Sequence, residues 1–551
     1  MSAFSDVPPD ASARPPEGAS VRACVAWTAV LALAGIALPQ VLCAAVPLSA
    51  PAGLDPALWG FAALEMQAGT APMVPPIYPL LASLLQGSGD IVTGAARASA
   101  LAAACTGPLV FAVARALGAR PWGAGLAGLL ALSLPRIGIP AVSVSPDALT
   151  VDLFAASVLV AVRFGERPTW LRLAVLGAIA ALAPLIREHG LLLSLGLAVV
   201  VVAAPGTWGV RALRTGGVLA AVGVGPVLVG MEPTLPWAVP WVHRLVQPGV
   251  DLLHRDRPTY LGDLPEQFRL AGMSERQRDL LLDLHTRRDR PQIVAFHCLW
   301  ALVQAPVYWA LVLGALVAAV RLARPRALSA WVGLVPVLPA LGIWSAPRHV
   351  AVAAPVALAV LAAWVAPHAG GARSRRVRIL AGAGLVSLVA STWTTWPDRA
   401  RDLGNEADHL SKLARFGRSL CALARPGDVG IGVAEAFLFC PLPLHVPGER
   451  YGAAEWHAWW VVYSDLPEAS VDRLSGPRPL SLVPPEPPWA VLELPIAGVP
   501  FTTYRLVPWM RDRPCAESRP DPGFRPRYSN PTTVPMTPPC SMEFPGRDPN
   551  R

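Results

Sequence analysis

The sequence predicts an all-α polytopic membrane domain of about eleven transmembrane helices, followed by a small extracytoplasmic α/β domain. Three observations predict it. Mean hydropathy is +0.45, and 53% of residues are hydrophobic against 15% charged, too apolar a balance for an ordinary soluble protein. Apolar runs of about 17–25 residues, the length that crosses a hydrocarbon core, recur along the chain. The net charge of +9 comes from arginines gathered in alternate short loops. That is a topology signal, and it removes nucleic acid as a partner.

The elements follow in order. Residues 1–22 are Pro-rich and polar, without the charge pattern of a signal peptide, and read as a disordered cytoplasmic tail. Spans are expected at about 23–46, 95–114, 122–141, 147–163, 172–186, 189–204, 215–231, 294–320, 328–344, 350–367 and 377–395. Arg115, Arg120, Arg163, Arg167, Arg172, Arg211, Arg214, Arg321, Arg324 and Arg326 fall on one side with Arg373, Arg375, Arg376 and Arg378. That side is the cytoplasm by the positive-inside rule. The loops 47–94 and 232–293, and everything after 396, are then outside. The second loop contains a short amphipathic helix around Leu280–Leu284 that suits a membrane surface.

Past the last span the pattern changes. Residues 401–428 read as an amphipathic helix stopped by Pro426-Gly427. The runs 429–439 and 489–498 read as short strands bounded by Gly and Pro. Together they predict an α/β domain over 397–510, with a Pro-rich irregular tail at 511–551. Trp456, Trp459, Trp460 and Tyr463 there suit core packing or a sugar-stacking platform.

Of the eight cysteines, Cys24, Cys43, Cys105 and Cys298 accompany apolar spans as small hydrophobes. Cys421, Cys440, Cys515 and Cys540 lie in the polar region, an even number that fits disulfides in an oxidising compartment. Pairing nearest neighbours gives 421–440 and 515–540.

Several charged residues stand where topology alone does not require them. Asp55 precedes Pro56 at a helix start, which makes it an N-cap and also a well-oriented carboxylate. Glu65 follows about three turns later on the polar face of that helix. Arg97 opens the next span. Arg187, Glu188 and His189 crowd a tight outer hairpin, either as a solvated turn or with Arg187 facing an anionic head group. Asp147 sits in the first turn of the fourth span, where the helix dipole favours an acid. Asp152 lies about 7.5 Å further along the axis. An acid inside a span is costly and points to a polar cavity. Arg348-His349 stands at the outer mouth of a late span, against the inside bias, and a planar guanidinium suits bidentate phosphate binding.

An outer-loop acid, Pro-Pro-Ile-Tyr-Pro-Leu-Leu at 75–81, Ala-Ala-Arg at 95–97, Arg-Glu-x-Gly at 187–190 and Pro-Arg-His at 347–349 occur in that order. The set resembles the polyprenyl-phosphate-dependent GT-C glycosyltransferases, of the protein O-mannosyltransferase and lipid A aminoarabinose transferase type (glycosyltransferase family 39). The likeness covers about residues 23–396. It implies a GT-C-like membrane domain and a catalytic acid at Asp55. It also implies lipid-phosphate contacts from Arg187, Arg348 and Arg97, the last matching an arginine of the family's pattern. This chain departs from the family pattern at Pro56, where a second acid is common, and at His349, where the family carries Tyr.

The resemblance implies transfer of a sugar from a polyprenyl phosphate to a hydroxyl of a protein, lipid or glycan acceptor on the outer face, with inversion. Chemically, such a transfer needs a base at the hydroxyl, worth about 10²–10⁴-fold, and cations where charge builds on the leaving phosphate. No motif requires a cofactor; a divalent metal stays open. The competing reading from another class is a secondary transporter or flippase for a lipid-linked or anionic solute, although no inverted repeat is evident. An assembly protein that binds through its outer domain is a third.

Overall fold

The computed structural model describes residues 17–46, 50, 56–67, 74–187, 189–228, 298–299, 301–341, 347–365, 372–423, 429–432, 438–440, 459–464, 489–493 and 501–508. They are mostly helical. The first helices are α1 (Glu17–Ala45), α2 (Pro56–Gln67), α3 (Ile77–Leu85), α4 (Ile91–Leu117), α5 (Pro121–Ser133), α6 (Pro135–Gly138), α7 (Asp147–Glu166) and α8 (Trp170–Ile186). There follow α9 (Gly190–Ala203), α10 (Trp208–Leu228), α11 (Pro306–Ala319), α12 (Arg324–Leu334), α13 (Pro347–Ala351), α14 (Ala354–Val365), α15 (Ala372–Ser391) and α16 (Trp396–Leu423). The helix α1 starts ahead of its apolar run and takes in residues 17–22, whose Glu, Ala and Arg are good helix formers.

Among the described residues, three segments are long and apolar enough to cross a membrane: Val21–Leu38, Ile91–Leu117 and Asp147–Glu166. The run 122–141 is not the straight span that the sequence predicts. It bends by 73° between α5 and the segment Pro135–Val142. Leu134 precedes a proline and is extended, with φ −66° and ψ 122°. Pro135, without an N–H, can only restart the helix at its first position. The runs 328–344 and 350–367 are divided in the same way. A 3₁₀ stretch, Val335–Leu341, carries Pro336 and Pro339, and α13 and α14 are separate helices. The helices α8, α9, α11 and α14 are apolar but short.

Packing centres on α4, which lies against α1, α3, α5 and α7. Around it α14 touches α4, α5 and α11, α12 touches α7 and α9, and α8, α9 and α10 group together. Val110, Phe154, Leu176, Leu193, Trp309 and Val356 belong to one continuous core.

A second core changes the reading of the chain after 396. Leu410, Leu413, Phe416 and Leu420 of α16 pack on Trp59, Tyr78, Ile91 and Val92 of α2, α3 and α4. Further up, Leu403 and Ala407 pack with Val46. The apolar stripe of α16 repeats every three or four residues and is covered by α2, α3 and α4. The helix α16 thus packs directly against the helices that precede it.

Four short strands, β1 (Val429–Gly432), β2 (Trp459–Ser464), β3 (Trp489–Glu493) and β4 (Phe501–Pro508), form a sheet in the order β1-β2-β4-β3. β1 pairs parallel with β2, with Val429 opposite Trp459. β4 is antiparallel to both β2 and β3, with Tyr504 opposite Val461 and Leu506 opposite Val491. A parallel pair needs a crossover, and the connection between β1 and β2 includes the turn 438–440. The 232–293 loop, Trp456, and the 511–551 tail lie outside the described residues.

Candidate functional site

The bend before α6 and the start of α7 open a cleft against α13 and α16. It encloses about 510 Å³, open solvent included, and its walls carry Arg136, Ser143, Ser145, Asp147, Arg348, Arg399, Asp402 and Glu406. Each group has a local reason to be there. Arg136 follows Pro135 and is turned out of the line of α5 by the break. Asp147 is in the first turn of α7, and its N–H donates to Ser145 Oγ at 3.2 Å. Arg348 lies in the short helix α13. Arg399, Asp402 and Glu406 recur at three- to four-residue spacing and so share one face of α16. An Arg399 Nη1–Asp402 Oδ2 ion pair of 3.5 Å links two of them.

Behind this wall Asp147 is held by a buried ion pair, Arg187 Nη2 to Asp147 Oδ1 at 3.1 Å. Arg187 is extended between α8 and α9, with φ −156° and ψ 152°. The hairpin is so tight that a methyl group added at Gly190 would overlap the carbonyl of Ala183, which explains the glycine of the Arg-Glu-x-Gly motif. The Arg187 guanidinium lies 5.7 Å from the ring centre of Trp59 in α2, close enough for a cation–π contact. Trp59 meets Tyr78 edge-on at 5.6 Å. The Tyr78 hydroxyl reaches Ala95 O at 3.0 Å and Ser99 Oγ at 2.9 Å. Ser99 Oγ donates to the Ser145 carbonyl at 2.9 Å. Burial pushes the Tyr78 phenol well above its ordinary range, so it stays protonated. This network ties α2, α3, α4 and the start of α7 to the hairpin.

His189 and His349 stack nearby with ring centroids 4.9 Å apart.

The structure distributes the sequence-chosen residues unevenly. Asp147 and Arg348 line the cleft; Arg187 and His349 stand behind it. Arg97 does not join them. Its Nη1 donates to the carbonyls of Leu85 and Gln86 at 2.9 and 3.0 Å. It caps α3, whose last carbonyls have no partner within the helix, and it is not part of the cleft lining. Asp152 accepts from Thr106 Oγ1 of α4 at 2.7 Å and is not part of the cleft lining, so it marks a helix–helix contact. Glu65 lies on α2. Asp55 and Glu188 lie outside the described residues, Asp55 immediately before α2. A disulfide joins Cys421 to Cys440, with Cα atoms 5.3 Å apart; Cys515 and Cys540 lie outside the described residues.

Sequence reasoning missed Arg136, Arg399, Asp402 and Glu406. An arginine flanked by prolines inside an apolar run was a usable signal for the first. The others were assigned away from the site because the helix was read as part of a separate domain. Among the described residues, no group of three or more His, Cys, Asp or Glu is placed to hold a metal.

No protein-family model and no curated protein sequence matches this chain. Among solved structures it is similar to ArnT from Cupriavidus metallidurans bound to undecaprenyl phosphate, with 14% identity and a TM-score of 0.48, over 87% of this chain and 98% of that one. The apo form of the same ArnT aligns with 14% identity and a TM-score of 0.46, over 88% and 98%. An apo oligosaccharyltransferase from Archaeoglobus fulgidus aligns with 11% identity and a TM-score of 0.43, over 76% of this chain and 63% of that one.

Proposed function

We propose that this chain is an integral membrane glycosyltransferase of the GT-C type that moves a sugar from a polyprenyl phosphate to an acceptor hydroxyl outside the cytoplasm, with inversion. In this reading the protein is multi-pass in the plasma or inner membrane. Its N-terminus is cytoplasmic, and residues after 396, including an α/β domain, are extracytoplasmic. The acceptor is a protein, lipid or glycan. The observation that carries the reading is the cleft in which Arg136, Arg348 and Arg399 gather beside Asp147.

A sugar on a prenyl phosphate leaves as an anion. As the acceptor oxygen bonds to the anomeric carbon, the bond from that carbon to the phosphate oxygen breaks. The prenyl phosphate departs with both bonding electrons, and the acceptor proton passes to a carboxylate. Asp55, next to the start of α2, is the proposed base. Arg348, with Arg136 and Arg399, meets the growing phosphate charge. Arg187 acts from behind, by holding the Asp147 carboxylate in place through their 3.1 Å ion pair.

Deletion of the gene in its source organism, followed by mass analysis of envelope glycans, lipids and glycoproteins, tests the reading. The expected result is one sugar missing from one class of molecule, restored by the wild-type chain but not by Asp55→Ala. An unchanged envelope in the deletion strain overturns it.

A further inference from the structure

The disulfide lies on the far end of α16 from the cleft, and its neighbours connect it to α2. Cys421 sits in the last turn of α16 and Cys440 in the turn 438–440 of the β1–β2 connection. Leu438 in that turn is buried in the same cluster as Trp59, Phe416 and Leu420. Its side chain rests on Gly60, where an added methyl group would overlap Leu438 Cδ1. Phe439 presses on the other partner: a methyl group at Gly417 of α16 would stand 2.5 Å from its Cβ. The turn is wedged between α2 and α16, and the disulfide locks it to one of them.

We propose that Cys421, Cys440 and Leu438 are positioning residues that set α2 against α16 and thereby set the cleft. The mechanical path is short. Leu438 fills the notch at Gly60; the adjacent Trp59 lies under Arg187; Arg187 holds Asp147 in the cleft wall. The opposite wall is the N-terminal half of α16, with Arg399, Asp402 and Glu406. One covalent bond therefore bears on both walls and on the helix that begins directly after Asp55. The catalytic consequence rests on the glycosyltransferase reading; the structural coupling does not.

The test uses the full chain in detergent and two variants, Cys421→Ser/Cys440→Ser and Leu438→Ala. Backbone hydrogen exchange should rise about tenfold across 56–67 in both variants while α7 and α9 keep wild-type protection. With a prenyl-phosphate sugar as donor, kcat should fall about tenfold while the donor KM stays within about twofold, because the cleft remains but its walls lose their setting. Wild-type exchange in α2 overturns the proposal, as does an equal rise in α4 and α7, which would make the bond a general staple. Loosened α2 with unchanged kcat removes the positioning role. If the double serine variant does not fold, Leu438→Ala, which keeps the disulfide, decides. Wild-type protein without any transfer activity would defeat the transferase reading and leave the exchange result to judge the coupling.

Discussion

Arg187→Ala should destabilise the protein by about 3–5 kcal/mol, because it leaves the largely buried Asp147 carboxylate without its ion-pair partner. The pair spans 3.1 Å, and its side chains are only 7% and 9% exposed. A surface ion pair of the same length would be worth about 0–1 kcal/mol; burial makes the difference. The loss also removes the cation from the face of Trp59, so α2 loosens with the hairpin. Asp147→Ala should cost a comparable amount by taking the carboxylate away from the buried guanidinium. Replacing both together with apolar residues should recover most of the stability, since neither charge is then stranded. Activity should not recover, because Asp147 is part of the cleft wall. Thermal unfolding of the two single variants and the double variant, arranged as a double-mutant cycle, measures the coupling. Additive losses across the cycle would show that the two side chains act independently and would remove Arg187 from its positioning role.

Asp55→Ala should reduce transfer by about 10²–10⁴-fold, the usual contribution of a positioned general base. Stability should change much less, since an N-cap carboxylate replaced by alanine costs about 0.5–2 kcal/mol. Arg348→Lys makes the companion variant. It keeps the charge but loses the planar fork that binds two phosphate oxygens at once, so transfer should fall while folding stays normal. Arg97→Ala is the contrast. Its guanidinium closes the end of α3, so it should shift the melting point and leave turnover per folded molecule near wild type. Purified variants assayed with radiolabelled prenyl-phosphate sugar give all three answers. Full turnover in Asp55→Ala at normal expression would sink the assignment of the base, and a selective loss of turnover in Arg97→Ala would return that arginine to the site.

The contrast between Arg97 and Arg348 shows where sequence reading reached its limit. Both stand beside an apolar run. Composition cannot tell a guanidinium that closes its neighbour's helix from one that faces a cleft. The difference is whether an uncapped helix end lies within reach, as the carbonyls of Leu85 and Gln86 do for Arg97. Asp147 and Asp152 pose the same problem on a single helix. The first meets Arg187 across the hairpin; the second meets Thr106 inside the bundle.

What the sequence determined by itself was the apolar, helical character of the chain and the tight hairpin at 187–190. Hydropathy, helix-start chemistry and proline placement are local properties, written within one or two turns of each residue. The tertiary structure alone decided which charges meet. Arg136 reaches the cleft because a proline bends its run. Arg399, Asp402 and Glu406 reach it because the apolar stripe of α16 lies down on α2, α3 and α4. Such meetings depend on how separate helices bury their faces against one another, and no single stretch of chain carries that information.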